Sequence, residues 1–104
     1  MSQPPRLSPE QRAAALAKAA EARAVRADVR EALRAGSTTF AEVLERAKAD
    51  ELVGGIKLKA VLTAIPGLGK VKSSRLMERL GISERRRLRG LGAKQQEALL
   101  AELS

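Results

Sequence analysis

No cysteine, histidine, tryptophan or tyrosine occurs among the 104 residues, and phenylalanine occurs once, at Phe40. Each absence removes a class of chemistry. Without thiols there are no disulfides and no thiolate metal sites, and nothing in the chain demands an oxidising compartment. Without imidazole, Ser-His triads and ordinary acid/base catalysis lose their working groups, leaving carboxylates and lysines as the only candidate catalysts. The expectation is a protein that is not an enzyme and uses no metal, no cofactor and no small-molecule substrate. With no aromatic platform, stacking on unpaired bases is unavailable, which argues against single strands as the main target. Asparagine is missing and glutamine is sparse, so bidentate reading of adenine has little material. No window approaches 18 apolar residues, and the opening MSQPPRLSPEQ has no signal-like apolar run. No membrane association and a cytoplasmic location are therefore expected.

What the chain does have is positive charge, 20 Lys and Arg against 12 Asp and Glu. A field of that sign favours a polyanionic partner. The charge is also localised. Residues 66 to 96 hold nine cations and two acids, whereas residues 37 to 65 hold four of each. Leu, Val, Ile and Ala must supply the core, and a chain of this length supports one domain.

The pattern along the chain is helical. Residues 1 to 7 read as a disordered, proline-containing lead. Ser8-Pro9-Glu10-Gln11 then provides an N-cap, a proline at the first helical position and a capping box. An alanine-rich helix should run from 9 to 35 and stop at Gly36. Val25, Val29 and Leu33 form its apolar stripe, while its first half offers only Leu16. Residues 8 to 36 are thus one long helix whose N-terminal half projects, with Arg12 and Lys18 meeting mostly water. Arg23, Arg26, Arg30 and Arg34 are explained as well by a solvated face as by ligand contact.

Residues 37 to 104 read as a compact helical module. Thr39 and Glu42 form a second capping box ahead of a helix over 40 to 49, and Asp50 caps a short turn broken at Gly54-Gly55. A third helix is predicted over 57 to 65, ended by Pro66. A fourth should run from 70 to 80, closed by Gly81 and Ile82. A basic turn over 83 to 92 leads to a last helix over 93 to 103. Nothing alternates with period two, so the fold class is all-α.

The residues that carry function lie in a weak repeat at an offset of 23. Gly67-Leu68-Gly69 recurs as Gly90-Leu91-Gly92, followed at equal distances by Leu76 and Leu99, then Leu80 and Leu103. Two glycines flanking an apolar anchor let the backbone approach a phosphate, and the free N–H groups of the next helix point at the anion. Such a site grips backbone without reading bases. Lys72, Arg75 and Arg79 share one face of the following helix. Gly67 to Ser73 is not a nucleotide-binding loop, since Val71 follows Gly69-Lys70 where Ser or Thr is needed and no strand precedes it. The dinucleotide fingerprint fails too, with Lys72 in place of its third glycine.

With the segments TTFAEVLERA, KLKAVLTAIPGLGKVKSSRLMERLGI and RRLRGLGAKQQEALLAEL in view, the sequence resembles the actinobacterial integration host factor family. The resemblance spans nearly the whole chain and is most specific from Lys57 to Gly92. It implies a long N-terminal helix on a small helical bundle containing a helix-two-turns-helix motif. It also implies a nucleoid-associated protein that binds double-stranded DNA with little sequence preference and shapes or compacts it. Carried onto this sequence, the turn is Pro66, Gly67, Leu68, Gly69 and Lys70, with Lys72 and Arg75 on the next helix. A second contact is expected from Arg86, Arg87, Arg89, Gly90 and Gly92. The chain is expected to act as a monomer, with bridging of two DNA segments left open. Two other readings stand beside this one: a duplex or ribosomal RNA-binding protein using the same turn, and an adaptor whose exposed N-terminal helix binds a protein partner in recombination.

Overall fold

The structure is a computed structural model that describes residues 6–103. The expected disordered lead lies outside the described residues, apart from the exposed Arg6 and Leu7. Six α-helices follow in order: α1 (Pro9–Ala35), α2 (Phe40–Ala49), α3 (Glu51–Gly54), α4 (Leu58–Leu62), α5 (Gly69–Arg79) and α6 (Ala93–Leu103), with a 3₁₀ turn at Leu88–Gly90 between the last two. Among the described residues the single β-type pairing is an antiparallel bridge between Lys57 and Arg87.

The first helices begin where polar side chains satisfy their orphan amides. The Ser8 hydroxyl accepts from the Gln11 N–H at 3.1 Å while the Ser8 N–H donates to Gln11 Oε1 at 2.9 Å. Thr39 and Glu42 make the same reciprocal pair at the start of α2. Asp50 caps α3 by accepting from the Leu52 and Val53 amides, so the break between α2 and α4 contains a helical turn of its own. Each such cap is worth about 1 kcal/mol. The end of α5 closes through the Ile82 N–H on the Met77 carbonyl and the Gly81 N–H on that of Glu78, with Ile82 buried. These paired bonds satisfy carbonyls that the helix leaves free.

The core is aliphatic, as a chain with one phenylalanine requires. Val29 and Leu33 bring the C-terminal half of α1 onto it, Phe40, Val43 and Leu44 come from α2, Leu58, Val61 and Leu62 from α4, and Leu99 from α6. Before Val29 no residue of α1 is fully buried, and Leu16 is 65% exposed. The helix therefore extends beyond the bundle, and the molecule measures 49 Å along its longest axis. At Gly54 the chain passes so close to α2 that a Cβ would sit 2.9 Å from the Ala47 carbonyl oxygen. Only glycine fits there.

The predicted third helix is shorter than its apolar spacing implied. After Leu62 the bonds tighten, Ala64 donating to Val61 and Ile65 to Leu62, each three residues back. Pro66 is the cause, because the residue before a proline is driven out of the α region and the proline itself cannot donate. Ile65 is consequently only half-buried.

Packing of this kind sets an expected contrast in stability. Leu62→Ala, at a fully buried site, should destabilise by about 2–5 kcal/mol in chemical denaturation. Leu16→Ala should stay within about 0.5 kcal/mol.

Candidate nucleic-acid interface

The first glycine triplet forms a turn in which both glycines are left-handed, with φ of 84° at Gly67 and 60° at Gly69. A Cβ at either position would meet nothing within 4 Å, so the surface of the turn is open. Its underside is fixed. Leu68 packs half-buried against the core, and the fully buried Ser73 donates its hydroxyl to the Gly69 carbonyl at 2.6 Å. Lys72 Nζ donates to the Gly67 carbonyl at 3.4 Å, holding its ammonium over the turn.

Helix α5 starts here, and it differs from α1, α2 and α3 in that no side chain caps it. The first turn of a helix leaves amides without intrahelical partners, and they carry the positive end of the helix dipole. In α5 this turn consists of the exposed Gly69, Lys70, Val71 and Lys72. Arg75 lies exposed one turn further on. Partial charge, free donors and formal cations thus share one small surface, which suits a phosphate oxygen. Pro66, Gly67, Leu68, Gly69, Lys70, Lys72 and Arg75 are brought together in this way.

Arg79 belongs to the same helix face but is not free. It hydrogen-bonds Glu102 of α6, which raises its pKa, and the same hydrogen bond lowers that of Glu102. The pair ties α5 to α6.

The second triplet does not repeat the first. Neither Gly90 nor Gly92 has a positive φ. Gly90 ends the 3₁₀ turn, Leu91 is buried, and the Gly92 N–H is already spent on Gln95 Oε1 at 3.1 Å. The cause is the arginine run ahead of it. Leu58 donates to the Arg86 carbonyl and Leu88 to the Ile56 carbonyl, pinning this segment alongside residues 56–58. Arg86 Nη1 then donates to the Gly90 carbonyl and Arg87 Nη1 to the Gly55 carbonyl. Both guanidiniums hold backbone while keeping further donors for a ligand.

Where Arg87 and Arg89 lead is a cleft that the charge pattern alone does not reveal. A cavity of about 580 Å³ opens between α1 and the bundle, with Lys18 and Arg26 on one wall and Lys57, Arg87 and Arg89 on the other. A neighbouring pocket shares Lys57 and is lined by Arg30. Lys18, Arg26 and Arg30 therefore line concave surfaces in which cations outnumber the carboxylates of Glu21, Glu51 and Glu84, while Lys18 itself is exposed to water. A signal for them existed. Lys18, Ala22, Arg26 and Arg30 recur every four residues on the flank beside the Val25, Val29, Leu33 stripe, and the flank of a docking stripe necessarily faces the crevice.

The chain is similar to several known proteins. The model of the S13-like H2TH domain matches residues 33–103. The integration host factor of Mycobacterium tuberculosis is 50% identical over 96 residues, covering 92% of this chain and 91% of the relative. That of Streptomyces coelicolor is 48% identical over 102 residues, covering 98% and 94%. A solved structure of sIHF bound to an 8 bp palindromic DNA superposes with a TM-score of 0.80 at 42% identity, covering 84% of this chain and 98% of that one.

The unequal triplets can be tested without any ligand. Gly69→Ala forces a side chain into left-handed backbone and should destabilise by about 1–2 kcal/mol. Gly92→Ala should remain within about 0.5 kcal/mol, as thermal unfolding of the two variants would establish.

Proposed function

The chain belongs to the integration host factor family through its S13-like H2TH domain, and from that footing we propose that it binds double-stranded DNA by the phosphate backbone, with little preference for sequence. In this reading it is a nucleoid-associated protein of the cytoplasm that shapes or compacts DNA, acting as a monomer and catalysing no reaction. The observation that carries it is the uncapped start of α5, exposed together with Lys70, Lys72 and Arg75. The solved sIHF relative, in its DNA-bound form, supports the same partner.

The mechanism follows from the parts. A phosphate of one strand settles against the Pro66 to Lys70 turn, where Gly67 and Gly69 leave no side chain to hold it off. The α5 amides and dipole stabilise its charge without any rearrangement, and Lys72 and Arg75 add theirs. The second contact uses Arg86, Arg87, Arg89 and the backbone at Gly90 and Gly92, extended by Lys18, Arg26 and Lys57 across the cleft. None of these groups is arranged to discriminate bases. Two separated cationic surfaces allow one chain to hold more than one stretch of backbone, the physical requirement for bending or bridging.

Affinity should accordingly depend steeply on salt. About five neutralised phosphates give a log–log slope of roughly −4 to −5. Lys72→Ala with Arg75→Ala should weaken binding by a similar factor on every duplex and flatten that slope by nearly 2. Arg12→Ala, on the projecting part of α1 and outside the cleft, should do much less. Fluorescence anisotropy with several duplex sequences, a duplex RNA and a single strand over a salt series decides the matter. A flat salt response, or a double variant that alters sequence preference at unchanged mean affinity, would overturn backbone gripping, and preferential binding of RNA would overturn the choice of DNA.

A further inference from the structure

Beside the cleft lies a second, open pocket of about 540 Å³ to which four parts of the chain contribute cations: Arg30 from α1, Lys57 and Lys59 at the start of α4, Lys70 from α5 and Arg85 from the following loop. Its volume falls in the range of small-molecule sites. Arg30 lines it, and its Nε, buried beneath the exposed part of the guanidinium, has no hydrogen-bond partner in the protein. A buried donor left unpaired is costly, and a bound water or ligand ordinarily satisfies one. One acid enters the ring, and it behaves as a built-in substitute for an anion. Glu84 Oε1 accepts from Lys59 Nζ at 3.1 Å and from the Ser74 hydroxyl at 3.0 Å. Those bonds hold the Glu84 carboxyl below its ordinary pKa, the Lys59 hydrogen bond first among them.

We propose that this pocket binds a free, compact oligophosphate, and that doing so weakens the grip of the chain on DNA. Cations converging from several sides match a small ligand carrying several charges, whereas a duplex presents its phosphates along a convex rod. The carboxylate of Glu84 marks where one oxyanion group sits and must give way to it. The coupling runs through Lys70, which lines this pocket and also the surface of the Gly67 to Lys72 turn. A phosphate chain in the pocket engages the same ammonium that the turn offers to the duplex. The effector part of this inference rests on the DNA-binding reading above, but occupancy of the pocket does not.

Inorganic triphosphate is the probe, since duplex backbone and free phosphate share one chemistry and have to be told apart. Calorimetric titration of the full chain, with ionic strength held constant by chloride, should give one saturable site. Arg30→Gln and Lys59→Gln should each weaken it about tenfold, as expected for loss of one charge-assisted bond. Glu84→Gln, which removes the competing carboxylate, should tighten it severalfold. In a parallel anisotropy assay triphosphate should release a labelled duplex over the same concentration range in which it fills the site, beyond the effect of chloride at equal ionic strength. Absence of saturable binding, or binding indifferent to all three substitutions, would overturn the site. Loss of duplex affinity in Arg30→Gln without triphosphate binding would assign the pocket to backbone phosphate and likewise overturn it. Triphosphate binding that leaves duplex affinity untouched would overturn the coupling alone, while a chain that binds triphosphate but no duplex would reject the DNA-binding reading and leave the site standing.

Discussion

The seating of α5 on α4 is the contact on which the rest depends. Leu76, Met77 and Ser73 are buried together on one side of α5, and that burial fixes where the opposite side, with Lys72 and Arg75, must point. Met77 is fully buried, and the Ser73 hydroxyl bonds the first carbonyl of the helix. The hydroxyl of Ser73 finds its own partner in this way, bonding back to the carbonyl four residues earlier while its side chain is buried. The exposed amides are therefore the visible end of an arrangement held from below.

Charge is sorted by the same packing. Two acids that border the basic surface are committed to cations, Glu102 to Arg79 and Glu84 to Lys59. Both pairs are solvent-exposed, so they contribute little to stability. Their effect is on the field outside: they subtract Arg79 from the cationic surface and leave Lys70, Lys72 and Arg75 beside the turn. The segment 86–88 serves two ends at once, its backbone bonding to residues 56–58 while the Arg86 and Arg87 side chains hold carbonyls and Arg87 lines the cleft.

Helices α1 and α2 and the end of α5 are legible in the sequence because their boundaries are chemical. Ser8 with Gln11 and Thr39 with Glu42 write a start that no tertiary contact has to supply, and Gly36 and Gly81 write a stop. The 57–65 helix was misjudged in length because apolar spacing persists through Ile65, whereas backbone sterics at Pro66 override it. The repeat of Gly-Leu-Gly was real in letters and absent in conformation, since φ at Gly90 and Gly92 is decided by how residues 86–88 pair with 56–58, a contact about thirty residues distant in sequence. The cleft escaped notice for a related reason. Its walls come from separated segments, and only the four-residue recurrence of Lys18, Ala22, Arg26 and Arg30 hinted at one of them.

The long first helix has one further consequence. From Val25 onward it packs against the core and is held by the same contacts as the bundle. Its leading turns have no such partner and rest on alanine propensity and the Ser8 cap, and a helix of that length on its own is close to balance between helix and coil. Amide exchange along α1 should therefore grade from fast to slow within one continuous element, with no break in secondary structure to mark the change. The wall of the cleft therefore runs from a firm end at Arg26, beside the packed Val25 and Val29, to a softer end at Lys18, whose neighbours along the helix are exposed.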